Sequence, residues 1–154
     1  MIKLPEIDLA LAHKYFSVNC YNRAWDLMDK QVRTEEEDEQ MLQLSIASHW
    51  HWTQREDYSP TNASIGYWQI SRIHALLKRA DEALRYAELC LQISKEGDLP
   101  PFYLAYTYEA LARAEAVAGN REGVEEYLRL AHQVASQISD KGEKDMLMKD
   151  LMSL

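Results

Sequence analysis

The sequence predicts an all-α chain, one domain of seven or eight antiparallel helices. Three observations predict it. No stretch sustains the apolar/polar alternation of a half-buried strand, whereas apolar residues recur at three- and four-residue spacing along most of the chain. Only 5 Gly and 4 Pro occur in 154 residues, so strong breakers are few. Finally, two stretches 41 positions apart spell the same helix-turn-helix. Ile70-Ser71-Arg72 aligns with Leu111-Ala112-Arg113, and Lys78 to Ala83 aligns with Gly119 to Val124. Tyr86, Cys90 and Ile93 fall on Tyr127, Ala131 and Val134.

The first helix is expected over Glu6–Val18, with Ile7, Leu11, Tyr15 and Val18 on one stripe. Asn19-Cys20-Tyr21-Asn22 reads as a turn, and a second helix follows over Arg23–Val32, so residues 6–33 form a weak copy of the repeat. Thr34 and Glu37 make a capping box. The acidic run Glu35–Glu39 then sits in the first turn of a third helix, where carboxylates complement the helix dipole. That helix, residues 36–55, carries Met41, Leu44 and Ser48 on one side and Leu42, Ile46 and Trp50 on another, which predicts burial between neighbours. It does not pair off within the repeat.

A loop over Asp57–Ala63 holds Ser59-Pro60. Two helices follow, Asn62–Lys78 and Asp81–Lys95, making a repeat over 62–96. Gly97 to Pro101 breaks the pattern. The next repeat covers 101–139: a helix over Pro101–Ala118, a left-handed stop at Gly119-Asn120, and a helix with Val124, Tyr127, Leu128, Ala131, Val134, Ala135 and Ile138 on one face. Asp140 and Glu143 cap a short Met-rich helix over 144–152, which closes the stack as a cap over 143–153 or offers a dimer contact.

Composition narrows the function classes. A net charge of −8 argues against duplex nucleic acid as a partner. No run approaches the ~18 apolar residues of a membrane span. The start of the chain lacks the basic region and continuous apolar core of a signal peptide. Cys20 and Cys90 form no metal or redox spacing and read as reduced packing residues, which suits a cytoplasmic protein.

The repeat carries a family resemblance. Leu11-Ala12 with Tyr15, Asn19, Tyr21 and Ala24 matches Ile70-Ser71 with His74, Lys78, Ala80 and Ala83. Small residues recur where paired helices cross closely: Ala12, Ser71 and Ala112 on first helices, Ala24 and Ala83 on second ones. These positions, and Arg79 to Ala87 most of all, resemble the tetratricopeptide repeat. The stretches His51–Gln54, Trp68–Arg72 and Leu104–Ala114 also resemble a group of small bacterial proteins with tetratricopeptide-like helices, to which no activity is assigned. The resemblance implies an α-α superhelix whose first helices line a concave groove. The period here is 41 instead of ~34 residues, and Lys78 and Asn19 stand where the family has a turn Gly.

By that alignment the groove is lined by Trp68 and Arg72 in one pair, Tyr106, Glu109 and Arg113 in the next, and His13 in the first. Arg72 and Arg113 are equivalent positions. Two guanidiniums beside aromatics suit a carboxylate or phosphate held bidentately. The competing reading is structural: Arg113 pairs with Glu109 at i, i+4, and Arg72 with an acid of the third helix. A second candidate is a pocket of His51, Trp52 and Asn62 beside Trp50 and Trp68, against the alternative of core aromatics. His49 and His51, two apart on a helix, project about 200° from each other and cannot chelate one ion. No nucleophile elbow and no phosphate-binding Gly loop occurs. The expectation is a non-catalytic scaffold without metal or cofactor, binding a protein or peptide in its groove, with apolar surface that also suits homodimerisation. The alternative is a small-molecule-binding protein or enzyme centred on the His51 pocket.

Overall fold

The computed structural model describes all 154 residues. The chain has seven helices and no strand: α1 (Leu9–Met28), α2 (Glu35–Thr53), α3 (Pro60–Leu76), α4 (Ala80–Glu96), α5 (Pro101–Ala118), α6 (Arg121–Ala135) and α7 (Lys141–Leu151). They group into two compact units, residues 1–58 and 59–154. No helix is long and apolar enough to cross a membrane.

In the first unit the expected turn at Asn19–Asn22 is absent. Residues 6–33 are therefore not a helix pair, because α1 runs unbroken from Leu9 through the expected turn to Met28, and residues 29–33 are not helical. The segment contains neither Gly nor Pro to stop the helix. The buried residues Ser17, Cys20, Ala24 and Met28 also continue through it at three- and four-residue spacing. Asp8 caps the start by accepting the Leu11 N–H at 3.0 Å.

The third expected helix, α2, thus has a partner after all. It packs antiparallel on α1, and Ser48 Oγ donates to the Ser17 carbonyl at 2.6 Å. The capping box of Thr34 and Glu37 forms with both of its hydrogen bonds. The acidic first turn is tied down from the loop, Lys30 pairing with Glu37 and Arg33 with Asp38 at 2.6 Å. Only one side of α2 is buried, through Met41, Ser45 and Ser48, while Ile46 and Trp50 are exposed. Small side chains therefore dominate the hairpin interface, which lets the two backbones approach closely.

The second unit repeats a hairpin, α3–α4 and then α5–α6. Ser59-Pro60 is not loop but the start of α3: Ser59 is the N-cap and Pro60 the first helical residue, as Pro101 is in α5, 41 positions on. The rings of Tyr67 and Tyr86 meet at 6.3 Å, and their equivalents Tyr108 and Tyr127 at 6.4 Å. The first helix of each hairpin stops in the same way. Lys78 at φ 59° and Gly119 at φ 76° are left-handed. Around them Arg79 N–H bonds the His74 carbonyl at 2.9 Å and Asn120 N–H the Glu115 carbonyl at 3.0 Å. A left-handed lysine carries a Cβ penalty of roughly 1 kcal/mol that glycine escapes. Lys78→Gly is therefore expected to stabilise the second unit by about 1 kcal/mol, read as a higher denaturant midpoint at unchanged slope. A lower midpoint would contradict it.

The core of this unit joins Leu111 of α5, Ala131 and Ala135 of α6, Ile138, and Leu147 and Leu151 of α7. Tyr127, Leu128 and Val134 of the predicted α6 stripe pack around it. Where α3, α4 and α5 meet, a buried polar seam replaces apolar contact. Ser64 and Ser94 hydroxyls stand 2.9 Å apart, Ser94 and Thr107 3.2 Å, and Cys90 Sγ lies 3.1 Å from Thr107 Oγ1. Both cysteines are free and buried, as packing residues are.

Candidate functional site

The repeat places five of the six predicted groove residues in the second unit, on the parallel first helices α3 and α5. Glu109 is the centre. Its side chain is 0% exposed. Arg72 Nη1 donates to Oε1 at 2.8 Å, Arg113 Nε to the same oxygen at 2.6 Å, and Trp68 Nε1 to Oε2 at 3.2 Å. The two arginines do stand on one wall, but their shared partner is internal. Arg113 pairs with Glu109 at i, i+4, and Arg72 bonds Glu109 as well instead of an acid of α2. Burial pulls the Arg72 guanidinium below its usual range, and the Glu109 carboxylate opposes this.

α7 completes the cluster. Tyr106 donates its hydroxyl to Asp150 Oδ2 at 2.8 Å, and Arg113 Nη2 donates to the Asp150 carbonyl at 3.2 Å and to Ser153 Oγ at 2.8 Å. Burial, with the Asp150 carboxylate, drives the Tyr106 phenol well above its ordinary range. Two guanidiniums thus share one buried carboxylate, Glu109, while the Asp150 carboxylate close by is held by the Tyr106 hydroxyl, so the charges of the cluster balance. An anion entering here would have to displace a carboxylate already bonded, so the expected bidentate anion site is not formed.

Asp150 escaped the sequence reading, although a signal for it exists. It lies 41 residues beyond Glu109, which lies 41 beyond Trp68. α7 begins 40 residues after α5 and takes the place of a first helix of a further repeat. Arg113 reaches it through the Asp150 backbone carbonyl and the Ser153 hydroxyl, whereas Arg72 reaches α5 through the Glu109 carboxylate.

His13 does not join this cluster and belongs to the first unit. Its Nδ1 lies 2.8 Å from Nδ1 of His51, one imidazole donating and the other accepting. Trp50 meets His13 edge-on at 5.4 Å, and Phe16 lies 5.4 Å from His51. Trp52 is covered by Arg55, whose guanidinium sits 3.8 Å over the indole and holds Asp57 at 2.7 Å and Ser17 Oγ at 2.9 Å. Asn62 lies in the other unit and is spent on the α3 capping box, its Oδ1 accepting from Ser59 N–H at 3.0 Å and Ser59 Oγ at 2.8 Å. The alternative pocket therefore divides into a ring cluster and a helix cap. No group of three or more His, Cys, Asp or Glu side chains gathers closely enough to hold a metal ion.

The ring cluster has a pH consequence. Burial lowers the His51 pKa below 6.5, helped by repulsion from His13, and burial lowers that of His49 as well. Their folded values lie below the unfolded one, so on acidification the unfolded chain takes up protons first. The stability they contribute is complete above pH 6.5 and is lost as pH falls through that value toward the folded pKa values. Thermal unfolding is expected to show the first unit melting lower at about pH 5 than at about pH 7.5, with a weaker dependence in His51→Gln. Equal pH slopes in parent and variant would contradict this.

Compared with protein-family models, with curated proteins and with solved structures, the chain matches none.

Proposed function

We propose that this chain is a non-catalytic scaffold of tetratricopeptide-like kind, acting in the cytoplasm, and that it binds a protein partner through a helix face. The face we assign is the outer side of α1, in place of the groove. One observation carries this reading. Leu11, Tyr15 and Val18, the stripe whose spacing predicts a core contact, are 64%, 59% and 45% exposed. Tyr15 sits opposite the buried row Ser17, Cys20 and Ala24 of α1, with Leu11 and Val18 beside it on the outer flank. Contiguous large apolar groups in water at helical spacing are the feature by which helix-in-groove partners dock. The groove residues, by contrast, are bonded to one another and to α7. The 41-residue hairpin repeat and the small residues at its helix crossings support the tetratricopeptide-like origin.

The test compares the parent with Leu11→Glu/Val18→Glu as bait, and then titrates the captured, purified partner against each. The expected result is at least about tenfold weaker binding to the double variant, ~1.4 kcal/mol. Equal affinity for both baits would refute the assignment. A loss confined to Arg72→Ala and Arg113→Ala would return the function to the groove.

A further inference from the structure

The outer stripe of α1 has a second regularity. Leu11, Tyr15, Val18, Asn22 and Trp25 follow one another at spacings of four, three, four and three. This is the heptad seam of a two-stranded coiled coil, with Leu11, Val18 and Trp25 at d and Tyr15 and Asn22 at a. The stripe lies on one unbroken helix only because the expected turn at Asn19 does not form. Asn22, the fourth of the five seam positions, is exposed.

An apolar seam interrupted by one amide at an a position is poorly suited to an unrelated greasy helix, which would leave that amide buried and unsatisfied. It suits an identical helix in parallel register. There each a residue faces its own copy, and the two Asn22 side chains satisfy each other. An antiparallel arrangement would set a against d and bury Asn22 against Val18 or Leu11. The flanking positions agree with the parallel choice. Lys14 at g comes opposite Asn19 at e of the other copy, and Tyr21 at g opposite Asp26 at e, so no like charges meet. The seam spans only about two heptads, short for a coiled coil, which points to a reversible dimer.

We infer that this protein forms a parallel homodimer through α1, with Leu11, Tyr15, Val18 and Asn22 in the seam. This rests on the preceding assignment of α1 as the docking face and names its occupant as a second copy of this chain.

Sedimentation equilibrium of the full chain over a wide concentration range tests it, with far-UV circular dichroism as a check on folding. The parent should reach the mass of a dimer. Leu11→Glu/Val18→Glu should stay monomeric with unchanged helicity. Leu11→Cys should give a disulfide-linked dimer under mild oxidation, since parallel register sets Leu11 beside its own copy; this readout holds even if the acidic variant fails to fold. A parent monomeric throughout, a dimer that survives the double substitution, a dimer abolished instead by Met146→Glu on α7, or a dimer without the Leu11→Cys crosslink would each overturn the inference. A monomeric parent whose affinity for a purified partner still falls in the double variant would overturn the homodimer alone and leave the docking face standing.

Discussion

Glu109→Ala is expected to destabilise the second unit by about 3–5 kcal/mol, the cost of breaking a buried ion pair from one side. The substitution removes the acceptor of three donors at once: Arg72 Nη1, Arg113 Nε and Trp68 Nε1. Arg113 keeps its bonds to α7. Arg72 keeps none of comparable strength, and its guanidinium is left largely out of water without a counter-charge. Glu109→Gln keeps the shape and the bond from Trp68 but not the charge, and should fall between parent and Ala. A double-mutant cycle with Arg72→Met separates the pair from the residue. Because Arg72 without Glu109 is worse than neither, the double variant should be less destabilised than the sum of the singles. Urea unfolding of the four proteins reads this out. Strict additivity, or a loss below about 1 kcal/mol for Glu109→Ala, would show that the cluster contributes no more than an exposed ion pair does.

Leu147→Ala carries the second large effect, about 2–5 kcal/mol. Leu147 is fully buried in the cluster that joins α5, α6 and α7. A helix of eleven residues has little stability of its own in water. It is held by Leu147 and Leu151 on its apolar side and by Asp150 and Ser153 on its polar side. The cavity left by Leu147→Ala should therefore loosen α7 as a body. Hydrogen exchange is expected to lose protection over residues 141–151 before α5 responds. Uniform loss across α5, α6 and α7 would mean that α7 does not detach separately and that the cost is one of global packing.

The two effects describe how α7 serves the unit. The first helix of a repeat needs a neighbour on its exposed flank. For α5 that neighbour is α7, which supplies apolar cover through Leu147 and a carboxylate one period beyond Glu109. The short helix acts as a fitted cap, and the exposed Met146 and Met152 mark its outer side.

How much of the fold is legible in the residues depends on the kind of signal. Turn chemistry is reliable wherever it is explicit. Thr34 with Glu37, Gly119, and the break from Gly97 to Pro101 all mark real helix ends. At Asn19–Asn22 only the alignment suggests a turn; no breaker supports it, and α1 continues. Ser59-Pro60 resembles loop because Pro breaks helices from within, although at the first helical position its missing N–H costs nothing.

For the candidate site, the alignment correctly brings Trp68, Arg72, Glu109 and Arg113 together, since equivalent positions of stacked repeats are neighbours. Charge balance is not legible. Whether two arginines await an anion or already hold one depends on where Glu109 points. His13, His51, Trp52 and Asn62 share a chemical type, and type does not decide proximity.

By itself the sequence determined that this chain is helical, where most of its helices end, and that one hairpin recurs after 41 residues. These depend on local propensity, capping and period, which act over a few turns of chain. Only the tertiary structure decided which apolar stripe is covered. On α1 the larger side chains, Leu11, Tyr15 and Val18, would be expected inside, yet Ser17, Cys20 and Ala24 are. Small residues let two backbones come close along their whole length, and the dispersion attraction of that close packing settles the pairing of α1 with α2. The larger stripe is thereby left facing water.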